Sequence, residues 1–305
     1  MSLGVVIVTF NRIEMLKKAL YLFETQSKLP SYILVVNNAS TDSTREYLDE
    51  WMQIEIPGLS KFVVHCENNT GGSGGFYTAL SEALNLDADW IWVSDDDAFP
   101  EKNTLECAYR YINRYNNNVA VCAKVLNNGK IDRAHRRRIK RGLFHLTEEF
   151  VEEIEYDNDY FELDEFSYVG VIINKNILSE VGVTNKDFFI NQDDTEHSLR
   201  IRKKGKIVCV PTIVVNHDVG RPEKGTVNWK RYYEIRNRYF TYKNNYPARY
   251  CKVFYAETKI KYYIKKIFRL VSNDELNMYR AALKDIKTGK LGMHEIYRPG
   301  WKFSN

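Results

Sequence analysis

The sequence predicts an α/β fold: a mostly parallel, doubly wound sheet with helices on both faces, extended at its C-terminus by basic, aromatic-rich helices. Three observations predict it. Over the first 125 residues short apolar runs alternate with longer amphipathic ones, the pattern of βαβ units. Polar clusters fall where those apolar runs end, at the carboxyl edge where open α/β sheets hold ligands. The segment 229–270 carries 12 Lys or Arg against 2 Glu, together with nine Tyr, three Phe and one Trp. The expected division is a ligand-binding and catalytic domain over 1–228 and a helical extension over 229–305.

Each element has its own signal. Gly4–Thr9, Tyr32–Asn37, Lys61–Cys66, Trp90–Val93 and Val119–Val125 are short apolar runs of strand length. Between them Ile13–Glu24, Thr44–Met52, Gly75–Leu84 and Asn103–Tyr115 repeat apolar residues at helical spacing, the second opened by the capping residues Ser40 to Ser43. The middle changes character: Lys130–Arg141 has seven basic residues and one acid, and Gly142–Glu165 has ten acids and no Lys or Arg. Two such runs fold against each other as solvated, oppositely charged faces. The acidic run would cancel the field of the basic one, which argues against nucleic acid as a partner.

Composition sets further bounds. The chain has 305 residues, 44% hydrophobic and 28% charged, with net charge +4. That excludes a disordered or fibrous chain and is long enough for a core that needs no disulfide. Its five cysteines, at 66, 107, 122, 209 and 251, form no CxxC pair, so neither a zinc site nor a redox pair is expected. No apolar run approaches the roughly 20 residues of a membrane span, and the first residues lack the basic start of a signal peptide. The expected location is the cytoplasm. The segment 229–270 has net charge +10, which leaves −6 for the rest of the chain. Basic residues beside aromatics describe either a helix in an anionic membrane interface or a cap whose rings pack on the main domain or on a second copy.

Four constellations carry chemistry. Asp95, Asp96 and Asp97 follow a buried strand; adjacent carboxylates repel, and a hard divalent cation with phosphate oxygens would compensate them, where a solvated turn would not need to. Asn69 and the run Gly71, Gly72, Ser73, Gly74, Gly75 lie between a strand and a helix, where backbone can approach an anionic ligand closely. The run fits neither the phosphate-loop nor the dinucleotide pattern. Asp193, Asp194 and Glu196 open a helix, either capping it or providing a general base. His217 follows an apolar stretch and suits either a hydrogen-bonded position or the shell of a manganese-like cation.

In order, Val5–Arg12, Val35–Asp42, Asn69–Phe76, Asp95-Asp96-Asp97 and Asp193-Asp194 resemble the inverting nucleotide-sugar glycosyltransferases of family 2, with the GT-A fold, and most closely their galactofuranosyltransferase-like branch, which includes many rhamnosyltransferases. The resemblance spans residues 1 to about 240. It implies that Thr9, Asn11 and Arg12 meet the nucleobase and ribose, and that Asn69, Gly71, Gly72, Gly74 and Gly75 lie against the donor. It also implies that Asp95 and Asp97, with Asp96 beside them, flank Mn²⁺ or Mg²⁺, with His217 as third protein ligand. Asp194 would be the base, Asp193 and Glu196 would orient the acceptor hydroxyl, and Arg236 would reach the diphosphate. Where such enzymes place Asp to read uracil or thymine, this chain has Asn37, whose amide both donates and accepts. UDP is then the first expected nucleotide and dTDP the second. The acceptor is a saccharide, polyprenyl-diphosphate-linked if 229–270 meets the inner face of the plasma membrane. A non-catalytic sugar- or lipid-binding module is the rival reading, against which Asp97 and Asp194 stand. A nucleotidyltransferase would need a Gly- and Lys-rich start that is missing.

Overall fold

The computed structural model describes residues 1–115, 117–217 and 228–302. Four strands form the first half of the sheet: β1 (Leu3–Thr9), β2 (Tyr32–Asn37), β3 (Ser60–His65) and β4 (Trp90–Asp95). They pair in parallel in the order β3-β2-β1-β4. Helices α1 (Ile13–Glu24), α2 (Thr44–Trp51) and α3 (Gly71–Ala83) form the crossovers. Every residue of β1 and β2 is buried, as expected of strands covered on both faces. Their side chains alternate: Val5, Ile7, Ile33 and Val35 pack with Leu16, Leu20 and Phe23 of α1, while Val6, Val8, Leu34 and Val36 pack with Phe76 and Leu80 of α3.

The other half of the sheet is mixed. After β5 (Phe99–Pro100) and α4 (Thr104–Arg114), β6 (Asn118–Asn127) lies parallel to a strand far along the chain, Lys206–Asn216. The short strand Val171–Asn174 enters antiparallel between β4 and β6. Apolar pattern announces a strand without its direction, so this reversal was not legible. The charge blocks do fold on each other. With β7 at Lys130–Ile131, β8 (Arg136–Arg141) pairs antiparallel with β9 (Leu146–Phe150) and with β11 (Glu165–Phe166), while β10 (Phe161–Leu163) joins the main sheet. Arg137 meets Glu148 at 3.1 Å and Glu165 at 3.4 Å, and Arg138 grips both Glu155 oxygens.

The remaining elements are β12 (Val171–Asn174), α5 (Lys175–Val181), α6 (Asp193–Arg202), β13 (Lys206–Asn216), α7 (Lys230–Asn245), α8 (Ala248–Ile267) and α9 (Asn273–Thr288). The aromatic excess of the extension is largely core. Tyr232, Tyr233, Phe240, Met278, Tyr279 and Ile286 form a cluster that takes in Phe188 and Phe189 from the loop ahead of α6.

Candidate active site

The sheet's carboxyl edge presents the site. Asp95 closes β4, and its carboxyl has no hydrogen-bond partner among the described residues. Burial pushes it well above the usual range, and the charges of Asp97 and Asp96 push the same way. Asp96 accepts the Thr9 hydroxyl at 2.7 Å and an Arg12 Nη1 hydrogen at 3.3 Å, yet burial still raises it to about 6. Asp97 behaves oppositely. Burial raises it, but His217 Nε2, 3.2 Å from Oδ1, and the Arg12 guanidinium on Oδ2 outweigh burial and hold it below the usual range.

Among the described residues no group of three or more His, Cys, Asp or Glu is already arranged to hold a metal. Arg12 and His217 instead satisfy Asp97, and His217 is its hydrogen-bond partner. The donor types still fit a hard cation: among the described residues the half-buried Asp95 carboxylate has no hydrogen-bond partner, and neither has the buried His217 Nδ1 atom.

The glycine run is already helix. The sequence pattern starts this helix at Gly75, whereas α3 begins at Gly71, because local hydrogen bonds offset the helix-weakening glycines. Asn69 Oδ1 accepts the Gly71 N–H at 2.8 Å, and Asn38 bonds the Thr70 N–H and the Gly71 carbonyl at 3.1 and 2.9 Å. Gly71 has φ +74°, and a Cβ there would stand 2.0 Å from the Phe189 carbonyl oxygen. A Cβ at Gly75 would meet Val8, and one at Gly74 would meet Thr70, but one at Gly72 would meet nothing within 4 Å. Gly72 alone of the four opens its missing side chain to the cleft.

Two cavities, about 330 and 490 Å³, meet along Arg12, Gly72, Asp95, Ile190 and Lys230. Phe10, Asn69, Phe189 and Trp229 line the smaller. Asp97, Arg137, Tyr168, Asp193, Asp194 and His217 line the larger.

A strained loop delivers the two acids of the larger cavity. Phe189, Asn191 and Gln192 have φ of +66°, +65° and +69°. Gln192 is left-handed, at about 1–2 kcal/mol for such a residue, and Phe189, at ψ −56°, is the centre of a strained γ-turn closed by the Ile190 N–H on the Phe188 carbonyl. Asn237 on α7 holds this loop: its Nδ2 lies 2.9 Å from the carbonyls of Phe188, Ile190 and Asn191. Asp193 and Asp194 then begin α6. Burial, then the Asp194 charge, pushes Asp193 up to about 7. Burial also raises Asp194, against the nearby Arg137. Asp194 Oδ1 accepts the Thr195 N–H at 2.6 Å, and Arg137 Nη2 donates to the Thr195 hydroxyl at 2.9 Å.

Thr9, Arg12, Asn69, Gly71, Gly72, Asp95, Asp96, Asp97, Asp193, Asp194 and His217 therefore lie on the cleft. Four expected residues have other partners. Asn11 Oδ1 accepts the Thr41 N–H at 2.7 Å, and Asn37 Oδ1 accepts the Ser40 N–H at 2.9 Å, both shaping the loop after β2. Glu196 pairs with Arg200 at 2.9 Å. Arg236, 1% exposed, donates to the carbonyls of Phe188 and Gly292 at 3.1 and 2.7 Å and braces the strained loop rather than lining the cleft.

Sequence reasoning missed Asn38, Arg137, Tyr168, Trp229 and Lys230. Arg137 was visible only as one charge in a basic run, and Lys230 only as one in the extension. The ammonium of Lys230 has no carboxylate partner among the described residues, and burial, then Arg12, lowers its pKa.

The model of glycosyl transferase family 2 matches residues 4–182. Galactofuranosyltransferase GlfT1 of Mycolicibacterium smegmatis is 26% identical over 254 residues, 78% of this chain and 80% of that one. GlfT2 of Mycobacterium tuberculosis is 24% identical over 201 residues, 59% of this chain and 31% of that one. Among solved structures, S. aureus TarS 1–349 in complex with UDP-GlcNAc superposes with TM-score 0.61 at 16% identity, covering 95% of this chain and 82% of that one. The mannosyltransferase PcManGT from Pyrobaculum calidifontis, in complex with GDP-Man and Mn²⁺, superposes at 0.55 and 16% identity, covering 94% and 75%.

Proposed function

The chain belongs to glycosyl transferase family 2, and from that premise we propose that it is a metal-dependent, inverting enzyme of bacterial cell-surface polysaccharide synthesis. Its first donor is UDP-galactofuranose, its second dTDP-rhamnose, and its acceptor a hydroxyl of a lipid-linked saccharide. The galactofuranosyltransferase relatives support the donor choice. One observation carries the reading: Asp95 and Asp194, a candidate phosphate-side acid and a candidate base, line one cavity of about 490 Å³ with Arg12 and Lys230.

The smaller cavity, walled by Phe10, Phe189 and Trp229, takes the nucleoside, and the open face of Gly72 lets the donor approach the backbone. Arg12 and Lys230 stand where the cavities meet and offset the diphosphate charge as it leaves. Mn²⁺ or Mg²⁺ would be held by Asp95 and Asp97 with His217 beside them, adding positive charge at the departing diphosphate. PcManGT, solved with GDP-Man and Mn²⁺, supports that choice of cation.

Asp194 takes the proton of the acceptor hydroxyl as its oxygen attacks the anomeric carbon from the face opposite the diphosphate, so the configuration inverts. Its raised pKa strengthens it as a base near neutral pH. Thr195 and Arg137 fix its orientation, and Asp193 faces the same cavity.

The test is turnover of UDP-galactofuranose with Mn²⁺ and an oligosaccharide acceptor, following UDP release and the product's anomeric configuration by NMR. Asp194→Asn should lower kcat by about 10²–10⁴-fold while the UDP-dependent rise in Tm survives. Retention of configuration, or full activity in Asp194→Asn, would sink the reading.

A further inference from the structure

The last turns of α8 pack on one side, where Tyr262 joins the aromatic cluster and Lys265 meets Glu275 at 2.8 Å, and leave the other face uncovered. Ile260, Tyr263, Ile264, Ile267, Phe268 and Leu270 are 44–71% exposed, and the first four recur at the helical spacing that places them on one face. Among them Lys259, Lys261, Lys266 and Arg269 are exposed and have no carboxylate partner among the described residues. A second segment of the same composition is fastened to this helix. The tip of the β8–β9 hairpin is tied to α8 by His145 Nε2, 2.7 Å from Glu257 Oε1, and by the Tyr250 hydroxyl donating to the Gly142 carbonyl at 2.8 Å. At that tip Leu143 and Phe144 are 73% and 50% exposed, next to Lys140 and Arg141.

Two elements far apart in sequence thus bring apolar side chains and basic residues to one region, on a chain whose remaining charge is negative. We propose that this surface, the end of α8 with the β8–β9 tip, docks on the interface of an anionic lipid bilayer. Apolar side chains at headgroup depth ringed by Lys and Arg are what such an interface takes up. No helix among the described residues is long and apolar enough to cross a membrane, so the surface lies on the bilayer. A second copy fits less well: a two-fold contact would set the basic ring of Lys259, Lys261, Lys266 and Arg269 against the same ring of the other copy.

This inference goes beyond the transferase reading, and its readout is lipid binding, so its failure leaves the transfer chemistry intact and removes only the support for a lipid-linked acceptor. The experiment sediments the full chain with vesicles of phosphatidylcholine alone or mixed with phosphatidylglycerol, at low and high salt. Wild type should pellet with the mixed vesicles and bind at least about tenfold less at high salt, where surface charges are screened. Ile264→Asp combined with Ile267→Asp should lose at least about tenfold in binding with unchanged Tm and elution volume, and Lys259→Gln with Lys261→Gln and Lys266→Gln should lose the preference for phosphatidylglycerol. Absence of wild-type binding would overturn the proposal, as would binding undiminished in both variants. A dimer that the isoleucine variant dissolves would assign the face to a second copy and overturn it as well.

Discussion

Gly71 runs so close to Phe189 that a Cβ on the glycine would lie 2.0 Å from the phenylalanine's carbonyl oxygen. The neighbouring Ser73 N–H donates to that same carbonyl at 3.1 Å. The glycine-rich start of α3 is thereby packed directly on the loop that presents the two acids of α6, and joins the walls of the two cavities.

Alanine substitutions one residue apart should therefore diverge. Gly71→Ala meets both a positive φ and backbone in the way, and should lower stability by at least about 2 kcal/mol. Gly72→Ala meets nothing within 4 Å, so its Tm should hold or rise slightly while its methyl intrudes on the cleft and weakens UDP binding. Thermal melts with and without UDP separate the two. Equal loss of Tm in both would mean that the glycines serve only the helix.

Stability and activity should respond to pH with opposite signs. Burial pushes Glu165 up to about 8, and burial with the Asp194 charge pushes Asp193 up to about 7. Between the ordinary carboxylate value of about 4 and those values, the folded chain holds protons that the unfolded chain has released, so these groups' contribution to stability falls as pH rises. The base, Asp194, must be unprotonated and burial raises its pKa, so kcat/KM should rise with pH along a limb lying above the ordinary carboxylate range. Melting and kinetic series over the same buffers check both limbs. Glu165→Gln should flatten the stability slope and leave the activity limb in place.

Cation dependence should run through Asp97. With UDP at saturating concentration, Mn²⁺ should raise Tm further, ligand at 100 times its Kd contributing about 2.7 kcal/mol, and EDTA should reverse the increment. Asp97→Asn should abolish the Mn²⁺ increment and keep the chain folded. A UDP shift indifferent to Mn²⁺ in wild type would assign the diphosphate to Arg12 and Lys230 alone.

Arg236→Gln should cost stability rather than donor affinity. The substitution strands the carbonyl of Gly292, at about 1–3 kcal/mol for an unsatisfied group, and leaves that of Phe188 with only the Asn237 amide and the Ile190 N–H. Tm should fall clearly while KM for the donor changes little in the folded fraction. An unchanged Tm with a raised donor KM would return this side chain to the diphosphate.

The α/β half was legible because buried strands of Val and Ile and helices with apolar residues three and four apart leave few alternatives. Thus the strand Tyr32–Asn37 and the helix Ile13–Glu24 stand where the pattern puts them. The antiparallel β12 was not legible, since strand direction depends on pairing rather than composition. At the site, Asp95 to Asp97 and Asp193-Asp194 were readable as local clusters of like charge. Arg137, which reaches Thr195 across 58 residues, was not readable, whereas His217, which reaches Asp97 across 120, was placed beside that acid by the resemblance alone. Arg236 was expected to reach the diphosphate on the resemblance, and its burial and carbonyl partners make it a brace of the loop instead.

Asn237, with one amide nitrogen close to three carbonyls of the loop before α6, sets a limit on modularity. The helical extension cannot be grafted or trimmed as an independent part. A chimera that took the extension from a relative would keep the loop in place only if the replacement supplied the same amide at the same position, and otherwise the acids of α6 would lose their footing.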